Sequence, residues 1–189
     1  MHGKRFLLPD GAGGGKTMIL KHFFRSTGAA VRPVYEAIVA AARHPAPYVR
    51  WGVADSVDGR FEMIALHVYL VLERLKGEHD GFRQELVDEF FRDMDRSLRE
   101  MGVGDLSVGK KVRKMAEMFY GRVAAYDRAL EDGRPALEQA LARNVYPDGA
   151  PADGLAALAG HVENLRAHLA AQDSASIVKG TIAFKEPAP

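Results

Sequence analysis

The sequence predicts an all-α fold: a single-domain bundle of about six helices, joined in antiparallel hairpins and followed by an extended C-terminal tail. Apolar residues recur at helical spacing through most of residues 31–169, glycine and proline separate these segments, and no set of segments alternates as strands do. The 189 residues suffice for one domain with a sizeable core. We divide the chain into a leader of residues 1–29, a helical domain of residues 30–173, and a tail of residues 174–189 that docks on the domain.

The first two predicted helices differ in how much of their surface is apolar. One helix spans Val31 to Ala42, with Pro33 in its first turn and apolar residues four apart. The segment from His44 to Asp58 contains two prolines and is predicted to be a loop. The second helix, from about Phe61 to Lys76, is apolar around so much of its circumference that we place it at the centre of the core.

The third and fourth helices are predicted to form a hairpin. The third begins near Asp80, and its apolar line is spaced mostly by four: Phe82, Leu86, Phe90, Met94, Leu98 and Met101. Gly102-Val103-Gly104 interrupts the pattern. The fourth helix follows with a 3-4-4-3-4 spacing: Val112, Met115, Phe119, Val123, Tyr126 and Leu130.

The C-terminal third predicts two helices and the tail. A short helix covers Pro135 to Asn144, and a loop covers Tyr146 to Asp153. The last long helix carries a narrow apolar seam that suits one neighbour: Leu155, Leu158, Val162, Leu165 and Leu169. From Ser174 the chain is rich in β-branched residues and lacks helical spacing, so we expect extended backbone there.

Composition excludes several classes of protein. Lysine and arginine total 26 against 25 acidic residues, a balance that argues against a protein built to coat nucleic acid, and we expect no DNA partner. The absence of cysteine excludes disulfides and thiolate chemistry. Neither a membrane-spanning run nor a signal-peptide core is recognisable, so we expect a protein that stays inside the cell.

The segment from Gly11 to Thr17 resembles a phosphate-binding loop that ends in Gly-Lys-Thr. Asp10 occupies the position of the first glycine, and a poor strand precedes it. Both features argue against a nucleotide site. A nucleotide-dependent regulator that uses Lys16 and Thr17 is kept as the alternative function. A leader, or an upstream extension before a start at Met18, is the favoured interpretation.

Catalytic and metal-binding patterns are not recognisable, so we predict no enzyme, no metal and no cofactor. The seven histidines include no HExxH pair, and no local motif suggests a Ser/His/Asp arrangement. His67 lies in the most apolar helix. We interpret it as a core histidine; a haem-handling protein with His67 as the ligand is a second alternative function. His161 belongs to an ordinary amphipathic helix, where we expect solvent exposure. Ser56 and Asp58 suit an N-cap.

The basic start of the fourth helix is the strongest functional signal. Lys110, Lys111, Arg113 and Lys114 are predicted to open this helix, where the macrodipole disfavours cations. Two interpretations remain open. The cations pair across the hairpin with Glu85, Asp88, Asp93 or Asp95, or they form a docking face for a polypeptide, RNA or an anionic membrane surface.

Several motifs in the second to fourth helices are long enough to be specific. They read VDGRFEM at residues 57–63, HVYLVL at 67–72, RLKG at 74–77, DMDRSLREMGVGD at 93–105, and VGKK to FYGR between 108 and 122. Together they resemble the signature of the ubiquinol–cytochrome c chaperone family. The similarity covers residues 31–130 strongly and 180–184 more weakly, and residues 1–29 match nothing in that family.

The resemblance implies a non-enzymatic assembly chaperone that binds newly synthesised cytochrome b and assists assembly of the ubiquinol–cytochrome c reductase complex. It further implies a bacterial form acting at the cytoplasmic side of the inner membrane, peripheral to it. Mitochondrial relatives act on the matrix side, near the ribosome, and with a small partner subunit. We predict a partner-binding surface with these members: Lys110, Lys111, Lys114, Tyr120, Arg122, Asp95 and Arg99. Periodicity places the lysines, Tyr120 and Arg122 on its outward face, whereas Asp58, Gly59 and Arg60 are predicted to be structural.

Overall fold

A computed structural model describes residues 29–187, and its helices follow the predicted order. Six helices have 12 residues or more: α1 Val31–Ala42, α3 Val57–Arg74, α4 Asp80–Glu100, α5 Asp105–Asp132, α6 Arg134–Val145 and α7 Ala152–Ala170. Two four-residue helices are α2 Ala46–Val49 and α8 Ser174–Ile177. Residues 29–187 contain no strand, so the all-α prediction is confirmed.

Helix α3 occupies the centre of the bundle. Every residue from 61 to 72 is buried, and α3 contacts α1, α4, α5, α6 and α7. A helix that is apolar on all sides must be enclosed by its neighbours, as predicted. The helix begins earlier than the predicted Phe61, because its first turn is held by a cap instead of apolar contacts. The Ser56 hydroxyl accepts a 3.1 Å hydrogen bond from the Gly59 amide.

Helices α4 and α5 form the predicted hairpin. Gly102 has φ +81°, and the amides of Gly102 and Val103 donate to the carbonyls of Arg99 and Leu98 at 2.9 and 3.0 Å. These two bonds constitute a Schellman motif, whose left-handed position favours glycine. The two helices run antiparallel, and the Phe90 ring lies 5.2 Å from the ring of Phe119.

The last long helix and the C-terminal segment pack on one side of α3. The apolar seam of α7 is buried at Leu158, Val162, Leu165 and Leu169, but α7 contacts both α3 and α6, so the prediction of a single neighbour is wrong. Extended backbone was expected from Ser174, whereas residues 174–177 form a helical turn because the Asp173 carboxylate caps their amides. Beyond Gly180 the backbone is no longer helical, and the Gln172 amide exchanges two hydrogen bonds with the Ala183 backbone, of 2.8 and 2.9 Å.

Candidate functional site

The cations of α5 lie further inside the helix than the sequence suggested. Helix α5 begins at Asp105, so Lys110 is its sixth residue and an acid occupies the first turn. The prediction that the lysines open the helix is therefore wrong. The influence of the macrodipole decays within the first turn, so the expected cost of about 0.3–1 kcal/mol per cation does not apply.

Four cations of α5 are exposed: Lys110, Lys111, Arg113 and Lys114. None of them forms an ion pair or a hydrogen bond with any residue between 29 and 187. Pairing across the hairpin is thus not found in the part of the chain that the structure describes. These charges remain available to an anionic partner.

Asp93 shows why an acid of α4 does not reach these lysines. Its carboxylate accepts a 2.9 Å hydrogen bond from the Tyr35 hydroxyl of α1 and pairs at 2.6 Å with Arg96 of its own helix. Asp93 therefore faces α1, and its hydrogen bond from Tyr35 links α4 to that helix.

Arg99 links the two ends of the hairpin turn. Its guanidinium pairs with Asp95 on α4, with 2.6 Å between Nε and Oδ2, and with Asp105 at the start of α5. The Arg99 and Asp105 side chains are 48 % and 86 % exposed, so solvent screens these pairs and they contribute little to stability. Asp95 and Arg99 thus lie beside the basic segment, where they neutralise each other.

Arg122 does not share the outward face with the lysines, so that placement is wrong. Its guanidinium forms a two-pronged ion pair with Glu62 of α3 and donates to the Met118 carbonyl at 3.0 Å. The Arg122 and Glu62 side chains are only 14 % and 7 % exposed. Burial raises the pKa of the Glu62 carboxyl, and the hydrogen bonds from Arg122 oppose that rise. The pair anchors α5 to the core.

Tyr120 is half-buried, which also differs from the outward orientation predicted for it. Its ring lies 6.4 Å from Phe91 and 5.6 Å from Phe119, within the aromatic contact between α4 and α5. Burial raises the pKa of its hydroxyl, and the nearby Asp88 charge adds to the rise. The ring therefore forms part of the packing between α4 and α5, and the side chain is only partly exposed.

Two exposed apolar side chains flank the hairpin turn and escaped the sequence prediction. Leu106 is fully exposed and Met101 is 51 % exposed. Met101 was assigned to the apolar line of α4, yet it lies at the C-cap, where the helix ends. The exposure of Leu106 could have been predicted, because Leu106 is not part of the apolar line of α5 and precedes Val108, the first buried residue of that helix.

Two histidines meet in the core beside the C-terminal segment. His67 is 1 % exposed, its Nδ1 lies 2.7 Å from the Met63 carbonyl, and its ring lies 6.2 Å from that of His161 and 5.9 Å from that of Phe184. His161 is 8 % exposed and packs on Trp51, so its predicted solvent exposure is wrong. Burial lowers the pKa of both histidines to about 4. This enclosure favours a core role for His67 over haem ligation.

The remaining candidates are structural or lie outside the described residues. Gly59 is buried, and a Cβ on it would lie 2.0 Å from the Ala54 carbonyl oxygen. Arg60 pairs with Asp55 at the surface. The phosphate-loop-like segment from Gly11 to Thr17 precedes residue 29 and therefore lies outside the described chain. Within residues 29–187, no three histidine, aspartate or glutamate side chains are grouped to hold a metal ion.

Comparison with known proteins identifies the family. The pattern of the family described as ubiquinol-cytochrome C chaperone matches residues 49–184, which include α3, the α4–α5 hairpin and most of the tail. The chain belongs to this family. Membership in the ubiquinol-cytochrome C chaperone family thus confirms the resemblance carried by the motifs of α3, α4 and α5.

A solved structure and a curated relative are also similar. The crystal structure of the Cbp3 homolog from Brucella abortus matches with a TM-score of 0.76 and 40% identity, over 89% of this chain and 96% of that one. Ubiquinol-cytochrome-c reductase complex assembly factor 1 of Xenopus laevis is 25% identical over 101 residues. That match covers 52% of this chain, and the chain spans about half the length of that relative.

Among residues 29–187 no helix combines the length and the apolar character needed to cross a bilayer.

Proposed function

We propose that the protein is a non-enzymatic chaperone for assembly of the ubiquinol–cytochrome c reductase complex and that its client is newly synthesised cytochrome b. The observation that carries this proposal is the family match over residues 49–184. The name of the Xenopus relative, a reductase complex assembly factor, supports it. The protein would act as a peripheral protein on the cytoplasmic side of a bacterial inner membrane, close to where a nascent membrane protein emerges from the ribosome, alone or with a small partner subunit.

The proposed client-binding surface is the lateral side of α5 that carries its lysines. Lys110, Lys111 and Lys114 are exposed and unpaired within residues 29–187, so they can meet acidic loops of the client without breaking internal ion pairs. Tyr120, nine residues after Lys111 and thus on the opposite side of α5, packs against Phe91 and holds the hairpin together. The other predicted members have supporting roles: the buried pair of Arg122 holds α5 in place, while Asp95 and Arg99 secure the turn.

A deletion strain tests the function. Without the gene, cytochrome b and reductase activity in membranes should fall together, and a plasmid copy should restore both. Normal levels of both in the deletion strain would contradict the proposal.

Charge reversal tests the surface. Lys110→Glu, Lys111→Glu and Lys114→Glu together should strongly reduce capture of cytochrome b from detergent-solubilised extracts. The matched control reverses Arg43, Lys179 and Lys185, which are also exposed and change the net charge equally. Equal capture by the two triple variants would remove the lysines from the site, and crosslinking from position 111 would then show which surface contacts the client.

A further inference from the structure

The tip of the α4–α5 hairpin presents an outward face that combines an aliphatic side chain with cations. Leu106, Lys110 and Arg113 follow one another at i, i+4 and i+7, so they share one side of α5. The buried residues Val108 and Phe119 point to the opposite side, which packs on the core. We call the Met101–Gly104 turn and this face of α5 the hairpin tip.

The hairpin tip projects from the bundle. Between positions 105 and 118 of α5, only Val108 is buried. Four large hydrophobic side chains in residues 29–187 are more than half exposed, and two of them, Met101 and Leu106, flank this single turn. An exposed apolar pair at a projecting turn is a typical feature of an interaction site.

Electrostatics select an anionic partner. Lys110 and Arg113, with Lys111 and Lys114 at the flank, have no ion pair with any residue between 29 and 187. Asp105 is already paired with Arg99. Glu117, four residues after Arg113 on the same face, forms no ion pair with any residue between 29 and 187. Four cations against this one acid leave a local excess of positive charge.

The combination favours a bilayer over other polyanions. The tip carries no aromatic ring on which a base of single-stranded RNA would stack, whereas its two exposed apolar side chains, Met101 and Leu106, have no use in binding a purely polar polyanion. Aliphatic side chains at a tip, flanked by lysine and arginine, suit the boundary between headgroups and acyl chains of an anionic membrane.

We propose that the hairpin tip docks on anionic lipid bilayers, with Leu106 and Met101 entering the headgroup boundary and Lys110 and Arg113, on the same face as Leu106, contacting lipid phosphates. This contact rests on the peripheral membrane location proposed above and names the face that makes it, but it does not depend on the identity of the client. It would turn the lateral side of α5 towards proteins that emerge at the membrane.

Vesicle flotation of the full-length protein tests the proposal. The protein should float with vesicles of phosphatidylcholine and phosphatidylglycerol but not with phosphatidylcholine alone, and added salt should weaken binding. Arg113→Glu should reduce partitioning at least about fivefold, the loss for one cation near an anionic surface. Leu106→Asp should reduce it about tenfold or more, because apolar burial is lost. The controls Lys179→Glu and Val49→Asp alter an equally exposed cation and another exposed hydrophobic residue, and should leave binding unchanged.

Three results would overturn the proposal: no flotation with anionic vesicles, equal flotation with both vesicle types, or binding that Leu106→Asp leaves intact. The last result would mean charge attraction alone, which an RNA would satisfy equally. Circular dichroism confirms that each variant is folded. Capture of cytochrome b in detergent, without a bilayer, should survive Leu106→Asp, so a failure of this proposal is distinguishable from a failure of the chaperone function.

Discussion

The ion pair between Arg122 and Glu62 predicts a large loss of stability from one substitution on α5. Arg122→Met removes the guanidinium but keeps most of the side chain's length. It leaves the Glu62 carboxylate, 7 % exposed, without its partner. Breaking a buried pair in this way costs about 3–5 kcal/mol. For a chain of this size, each kcal/mol lowers Tm by about 2–4 °C, so we expect a decrease of roughly 6–20 °C.

Thermal and urea unfolding followed by circular dichroism measure this loss. Arg99→Met is the matched control, because Arg99 also forms ion pairs with two acids of the hairpin but is 48 % exposed, so its loss should barely change the stability. The double variant Arg122→Met with Glu62→Leu should be more stable than Arg122→Met alone, since no unpaired charge remains buried.

The reasoning fails if Arg122→Met costs no more than Arg99→Met, or if the double variant merely adds the losses of the two single changes. Either result would mean that the Arg122–Glu62 pair does not behave as a buried ion pair, and Arg122 would again be a candidate for partner binding.

Two further predictions concern the core. Gly59→Ala should destabilise the protein by about 1–3 kcal/mol, because the added Cβ would lie 2.0 Å from a carbonyl oxygen. Gly121→Ala, whose Cβ would have no neighbour within 4 Å, should stabilise α5 by about 0.5–1 kcal/mol. Urea unfolding that finds the Gly121→Ala variant less stable than the Gly59→Ala variant would refute this. The buried histidines His67 and His161, with pKa values lowered to about 4 from an ordinary 6.5, predict that the unfolded chain takes up protons first as the pH falls. The free energy of unfolding should therefore be highest above about pH 6.5 and decrease towards pH 4 by about 1.4 kcal/mol per pH unit for each histidine. Urea midpoints measured across this range should fall less steeply with pH for His67→Leu. An unchanged slope would contradict the lowered pKa of His67.

Periodicity predicted the helices well because it depends on neighbours along the chain. The central position of α3 was visible in its all-round apolar surface, and the hairpin was visible in the glycine break before α5. The starts of the helices were harder to predict, since the first two residues of α3 and the first three of α5 are exposed and show no apolar spacing. The early start of α5 removed the dipole argument about its lysines.

The sequence by itself determined the fold class, the central helix and the family, because local spacing and specific motifs are properties of the chain alone. Only the tertiary structure decided which charges are free. Arg122 and Lys114 look alike in sequence, but Glu62, sixty residues before Arg122, comes to lie beside one of them and not the other. The same holds for His161 under Trp51 and for Leu106 at the open tip. Burial and pairing depend on which helix lies alongside, and periodicity reports only which side of a helix is apolar.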